Sequence, residues 1–345
     1  MINVTEIMKR GAENRKLPPW VNMRHAWMVN DGLRDKDLEY PENVVQIKNI
    51  DYKKRLDAEQ FAAILDSWKM DKERELLYAS SGDASDIDSD SYVSNSLFDL
   101  CVPASYMGDS DKAYPVIVSV HGGGWFYGDK ELYSHYCCHL AQSGFVVVNF
   151  NYRLSPQNKY PSAIEDVAYL VKYIDDHARV FGLDMNRFFM LGDSAGAQLT
   201  AQYCIAASNQ EYRKKLDYFT YDKRPARICL NCGAYDMGKR DDTILGWYLR
   251  KENSLVVSKE QYQLFMEQLT YMNVDFPETY LMYSENDLRF HTIELDKKMN
   301  DIGVAHVTRA FGAGHPESGH VFHLNLRNSD GVQCNEEECS FFKNK

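Results

Sequence analysis

A serine lies between two glycines in FFMLGDSAGAQLTA, residues 188–201. Gly192-Asp193-Ser194-Ala195-Gly196 follows a short apolar run that reads as a strand and opens a run of helix formers. A chain turning sharply from strand into helix projects the hydroxyl at the turn, and flanking glycines permit the close approach this needs. The helix N-terminus behind the serine favours developing negative charge. These are the properties of a nucleophile. A second stretch, VSVHGGGWFYG, sets His121-Gly122-Gly123-Gly124-Trp125 after another apolar strand. A glycine turn leaves backbone N–H groups able to point into a cavity. Two of them, with the N–H of Ala195, could hold the oxyanion of a tetrahedral intermediate. A phosphate loop would end in G-K-[ST], and this one does not.

The elements that must position these groups are legible as texture. From about residue 93 short apolar runs recur: SLFDLCV, YPVIVSV, FVVVNFN, RFFMLG, ARICLNC, TYLMYS and HVTRAF. Helix-length segments such as YPSAIEDVAYLVKYIDDHARVFG separate several of them. That alternation predicts a mainly parallel sheet with helices on both faces. Residues 1–90 are polar, charged and rich in helix formers, with an amphipathic stretch in DAEQFAAILDSWKMDKERELLYA and a Ser/Asp-rich loop after it. They are expected to form a helical cap segment ahead of a catalytic domain at 91–345. Residues 238–276 exceed what one crossover helix needs and are expected to be a cap insertion.

On HGGGW, NYRLSPQNKYPSAIEDV and GDSAGAQL, the chain from about residue 93 onward resembles the α/β-hydrolase fold, in particular the hormone-sensitive-lipase-like esterases. Ala197 stands where that family usually has a further glycine. The resemblance implies a triad in the order Ser, Asp, His. Asp287, after the strand TYLMYS, matches the family's acid. The family's D-P-L-x-D is replaced here by Asp287-Leu288-Arg289-Phe290-His291, which leaves Glu285 as an alternative. His320, in H-V-F, resembles the family's H-x-F at the head of the last helix, with His315 and His323 as rivals. The implied mechanism is nucleophilic: His320 takes the Ser194 proton, Asp287 orients the imidazole, and the N–H groups of Gly123, Gly124 and Ala195 hold the oxyanion. No metal or organic cofactor is required. Trp125 is a candidate to contact substrate, and His121 is expected to shape the turn.

Composition narrows the partners. The 345 residues are 44% hydrophobic with a net charge of −11. An acidic chain gains nothing from nucleic acid or anionic lipid. No run of about 18 apolar residues occurs, and the first 20 residues lack a signal-peptide core, so a cytoplasmic protein without a membrane partner is expected. Oligomeric state is not encoded legibly. Of the eight cysteines, Cys229 and Cys232 form a lone C-x-x-C in a strand-like run and read as small buried hydrophobes, since a zinc site would need a second pair. The expected activity is hydrolysis of small, short-acyl carboxylic esters. The alternatives are deacetylation of sugars or other decorated metabolites, a catalytically inactive ligand-binding module, and a serine peptidase.

Overall fold

A computed structural model describes residues 18–54, 96–108, 112–237, 243–251, 254–287 and 289–344. The expected amphipathic stretch at 57–79, the Ser/Asp-rich loop and Lys239–Asp242 lie outside the described residues. In chain order the elements are α1 (Pro19–Asp35), β1 (Val44–Asp51), β2 (Leu97–Pro103), β3 (Tyr114–Val120), α2 (Ser134–Ala141), β4 (Val146–Phe150), α3 (Ser162–Asp176) and β5 (Leu183–Asp193). Then come α4 (Ala195–Ser208), α5 (Gln210–Lys215), β6 (Arg227–Asn231), α6 (Thr243–Leu249), β7 (Arg250–Lys251), β8 (Ser254–Leu255), α7 (Lys259–Met266), β9 (Glu278–Ser284), α8 (Arg289–Ile302), β10 (His306–Phe311) and α9 (Ser329–Lys343).

Eight strands form one sheet in the order β1-β2-β4-β3-β5-β6-β9-β10. β2 runs antiparallel to both its neighbours, and every pairing from β4 through β10 is parallel. Parallel strands covered on both faces should be continuously apolar. Val116–Val120 and Val146–Phe150 are buried at every residue and apolar at all but Ser119 and Asn149. Two apolar clusters lie on the two faces of the sheet, one built around Val116 and Val118, the other around Ile117 and Val147. This is the expected fold class. α4 is buried almost all round, as a helix of small and apolar residues at a sheet centre must be. Among the described residues no helix is long and apolar enough to cross a membrane.

The expected boundary at residue 91 needs correction. Val44–Asp51 is not helical cap but the edge strand of the main sheet, in register as Val45↔Val102, Ile47↔Leu100 and Ile50↔Phe98. Lys48, Asn49 and Asp51 dilute its apolar pattern, because an edge strand keeps one side open to water. α1 does sit over the site, starting at the Pro18-Pro19 pair whose fixed φ suits a first turn. Arg24 fastens it. This fully buried side chain donates to the carbonyls of Phe126 and Ser155. In the 238–276 stretch the described residues include α6 and α7 and the antiparallel pair of two-residue strands β7 and β8, and α6 lays Trp247 against Phe126 and stacks Tyr248 on Trp125.

Candidate active site

The strand β5 ends at Asp193 and α4 begins at Ala195, so Ser194 alone makes the turn. It does so at φ 50° and ψ −115°, outside the comfortable regions for a side-chain-bearing residue. Its N–H is held by the carbonyl of Asn231 at 2.8 Å. Gly196 is needed for close approach: a Cβ there would lie 1.9 Å from the carbonyl oxygen of Val120. A helix thus packs directly on the next strand and fixes the direction of the serine hydroxyl.

His320 stands between the other two groups. Its Nε2 is 3.0 Å from Ser194 Oγ, and its Nδ1 meets Asp287 Oδ2. With Nδ1–H donating to the carboxylate, Nε2 is left to accept the serine proton. Asp287 lies in the turn after β9, and His320 in the loop between β10 and α9. Asn286 joins the two loops, donating from Nδ2 to the carbonyls of Gly312 and His315, both at 3.0 Å. Ser318 in the same loop donates to Asp330 Oδ2 at 2.8 Å.

The rival residues point elsewhere. Glu285 pairs with Arg289. His315 faces Asp330 at 3.4 Å and Glu317 at 3.8 Å. His323 is fully buried with its ring edge-on to Tyr136, and burial pushes it down to about 3. His121 stacks on Tyr152 with centroids 4.1 Å apart, and burial pushes it down to about 4. It shapes the glycine turn, as expected, with Nδ1 2.7 Å from the Gly122 carbonyl.

In that turn Gly123 has φ 107°, a region glycine enters freely. The N–H of Gly122 is taken by the Tyr133 hydroxyl at 2.9 Å, which leaves those of Gly123 and Gly124 as the donors the turn can offer. Ala195 is the first residue of α4, and its N–H has no acceptor within the helix. The Tyr133 hydroxyl in turn donates to Asp193 Oδ2 at 2.8 Å, tying the turn to the serine strand. Burial pushes the Asp193 carboxyl up to about 7. A second buried carboxyl, Glu338 on α9, accepts from Tyr136 and Asn231 and is pushed by burial up to about 7.

These groups open on a cavity of about 440 Å³ bordered by Ser194, His320, the glycine turn, Trp27, Asp31 and Ile244. Trp125 borders it as well, but its ring is 1% exposed and donates to Gln198 at 2.9 Å. Arg24, Tyr133, Asn286, Asp31 and Trp27 were not singled out by sequence. Asn286 alone carried a local signal, being next to the acid. All eight cysteines are free and buried, Cys229 and Cys232 included.

The BD-FAE family model matches residues 99–290, more than half of the chain. Among curated proteins, esterase LipI of Mycobacterium tuberculosis is 38% identical over 88 residues, 25% of this chain and 28% of that protein. The probable carboxylic ester hydrolase LipM of the same organism is 26% identical over 179 residues, 50% of this chain and 41% of that protein. The matched stretches span less than half the length of these relatives. Among solved structures, esterase B from Lactobacillus rhamnosis, inhibited by a tributyrin phosphonate, has a TM-score of 0.72 at 21% identity, covering 93% of each chain. A Pyrobaculum calidifontis esterase gives 0.65 at 18% identity, covering 95% of this chain and 93% of its own. At such identity the likeness shows the fold, which is that of the α/β-hydrolases.

Proposed function

The chain belongs to the BD-FAE family, and from that premise we propose that it is a serine carboxylic-ester hydrolase acting on small, short-acyl esters through Ser194, His320 and Asp287. The observation that carries this reading is His320 itself, one ring nitrogen against the Ser194 hydroxyl and the other against the Asp287 carboxylate. The relatives named as esterases support it.

The steps follow from the atoms. Ser194 Oγ attacks the ester carbonyl carbon while His320 Nε2 takes its proton. Asp287 stabilises the imidazolium and holds the ring's tautomer. The carbonyl oxygen becomes an oxyanion facing the N–H groups of Gly123, Gly124 and Ala195, donors already fixed by the turn and the helix start. The tetrahedral intermediate collapses, His320 returns the proton to the leaving alkoxide, and the acyl group stays on Ser194. Water, deprotonated by His320, attacks the acyl-enzyme in the second half and frees the acid. All of these groups belong to the chain. A cavity of about 440 Å³, roofed by α1 and α6, suits acetyl to butyryl esters of small alcohols.

A fluorophosphonate probe, which phosphonylates activated serines, tests the reading directly. The purified protein should be labelled at Ser194, and Ser194→Ala should remain folded, lose labelling and lose about 1000-fold or more in kcat on p-nitrophenyl acetate. An alanine variant that kept most of the activity would remove Ser194 as the nucleophile.

A further inference from the structure

One thiol of the C-x-x-C pair lies beside the acid and the base. Cys232 follows β6 and adopts φ 47°, a left-handed conformation uncommon for a residue with a side chain. Its Sγ, an Asp287 carboxylate oxygen and an imidazole nitrogen of His320 all lie within 4.8 Å of one another. Among the described residues this is the one such set of three metal-ligating groups. The other thiol of the pair, Cys229, is fully buried in the sheet and belongs to no such set.

We propose that Cys232, Asp287 and His320 form a binding site for a thiophilic divalent cation such as zinc or cadmium, and that occupancy reversibly switches the hydrolase off. A thiolate, an imidazole and a carboxylate are the donors that zinc takes, and a water completes the tetrahedron. Bonds of about 2.0–2.3 Å set tetrahedral ligands roughly 3.3–3.8 Å apart, so the three groups need shifts on the order of 1 Å. Access is from the His320 side, whose side chain is 40% exposed. Cys232 itself is buried, and the cation displaces its thiol proton as the S–metal bond forms. That proton leaves to buffer.

The consequence for the reaction is specific. Nδ1 is the nitrogen that faces Asp287. Coordination there requires its lone pair, so the ring's proton moves to Nε2. The nitrogen facing Ser194 then has no lone pair to accept the serine proton, and Asp287 is occupied by the cation. Hard cations such as magnesium, which prefer all-oxygen sets, gain little from a thiol and should not compete.

The switching half of this inference rests on the ester-hydrolase reading, and the binding half does not. The experiment therefore has two readouts on the full chain, in a non-chelating buffer. Cadmium titration should produce the ultraviolet absorbance of a cadmium–thiolate bond, and in parallel should abolish p-nitrophenyl acetate hydrolysis until EDTA restores it. Zinc should inhibit likewise, and magnesium should not. Cys232→Ala should keep at least about half the activity, since the thiol takes no part in the chemistry. It should lose the absorbance step and need at least about tenfold more cadmium for half-inhibition. Cys229→Ala should behave as the unaltered chain. If Cys232→Ala titrates like the unaltered protein in both readouts, or if the unaltered protein hydrolyses the ester but shows neither signal, the site does not exist. If the absorbance step is lost in Cys232→Ala and in Asp287→Asn while no ester is hydrolysed by any form, the cation site stands and the hydrolase reading falls.

Discussion

The Tyr133 hydroxyl accepts the N–H of Gly122 and donates to the carboxylate of Asp193, so one oxygen joins the glycine turn to the residue before the serine. The space there admits nothing more: a Cβ on Gly122 would lie 2.4 Å from Asp193 Oδ2. Tyr133→Phe removes the link without changing the ring. The buried Gly122 N–H and Asp193 carboxyl would each lose a partner, at a cost of about 1–3 kcal/mol in stability. On the proposed role of the turn as oxyanion donor, kcat should fall about tenfold with little change in KM. A variant with unaltered kcat would show that the turn holds its shape without Tyr133.

The three candidate histidines separate by mutation. His320→Ala should abolish hydrolysis, and His315→Ala should keep most of it, because His315 faces Asp330 and Glu317. His323→Ala should act on the fold, costing about 2–4 kcal/mol by opening a cavity under the site while leaving kcat of the folded fraction largely intact. Asp287→Asn should lower kcat at least about 100-fold, and Glu285→Gln should lower it little. Steady-state kinetics beside a denaturant melt on each variant decide the matter, and the reverse ranking of the two acids would make Glu285 the orienting group.

Glu338 makes stability depend on pH. Burial raises its carboxyl from 4.5 to about 7, so the native state holds a proton that the unfolded chain has released. Stability from this group is present in acid and declines as pH rises from about 4.5 to about 7. Glu338→Gln keeps an oxygen to accept from Asn231 or Tyr136 and carries no charge at any pH. Relative to the unaltered chain it should therefore be more favourable at pH 8 than at pH 5. Urea midpoints at the two pH values measure this, and an equal difference at both would exclude a buried titration at Glu338.

Acyl length is the simplest test of the cavity. p-Nitrophenyl esters of two, four, eight and sixteen carbons should give kcat/KM highest at two or four, with the longest chain rejected by the volume under α1 and α6. Preference for the longest ester, or a rate jump when it forms droplets, would point to a lipid surface as the substrate.

The candidate nucleophile and the glycine turn could be named from sequence because each is marked by neighbours a few residues away, whereas Asp287 and His320 were named through the family resemblance, with Glu285, His315 and His323 as rivals. The strand-to-helix context marks Ser194, the glycines mark the turn, and the family's Ser, Asp, His order is what points to Asp287 and His320. What was missed is nonlocal. Tyr133 acts on Asp193, 60 residues away, and Arg24 on Phe126, 102 residues away. Each of them is an ordinary polar residue until the sheet brings its partner close. β1 was missed for a different reason: of its eight residues only Gln46, Ile47 and Ile50 are buried, and Lys48, Asn49 and Asp51 break the apolar run.

That strand bears on any attempt to trim the protein. A gene fragment beginning at residue 91 would discard β1 along with α1. β2 would then present the unpaired N–H and C=O groups of Phe98, Leu100 and Val102 to solvent, where they now meet Ile50, Ile47 and Val45. An uncovered apolar strand recruits another chain as readily as it once held its own. The shortened product should appear as oligomers or inclusion bodies, not as a smaller enzyme with an open pocket.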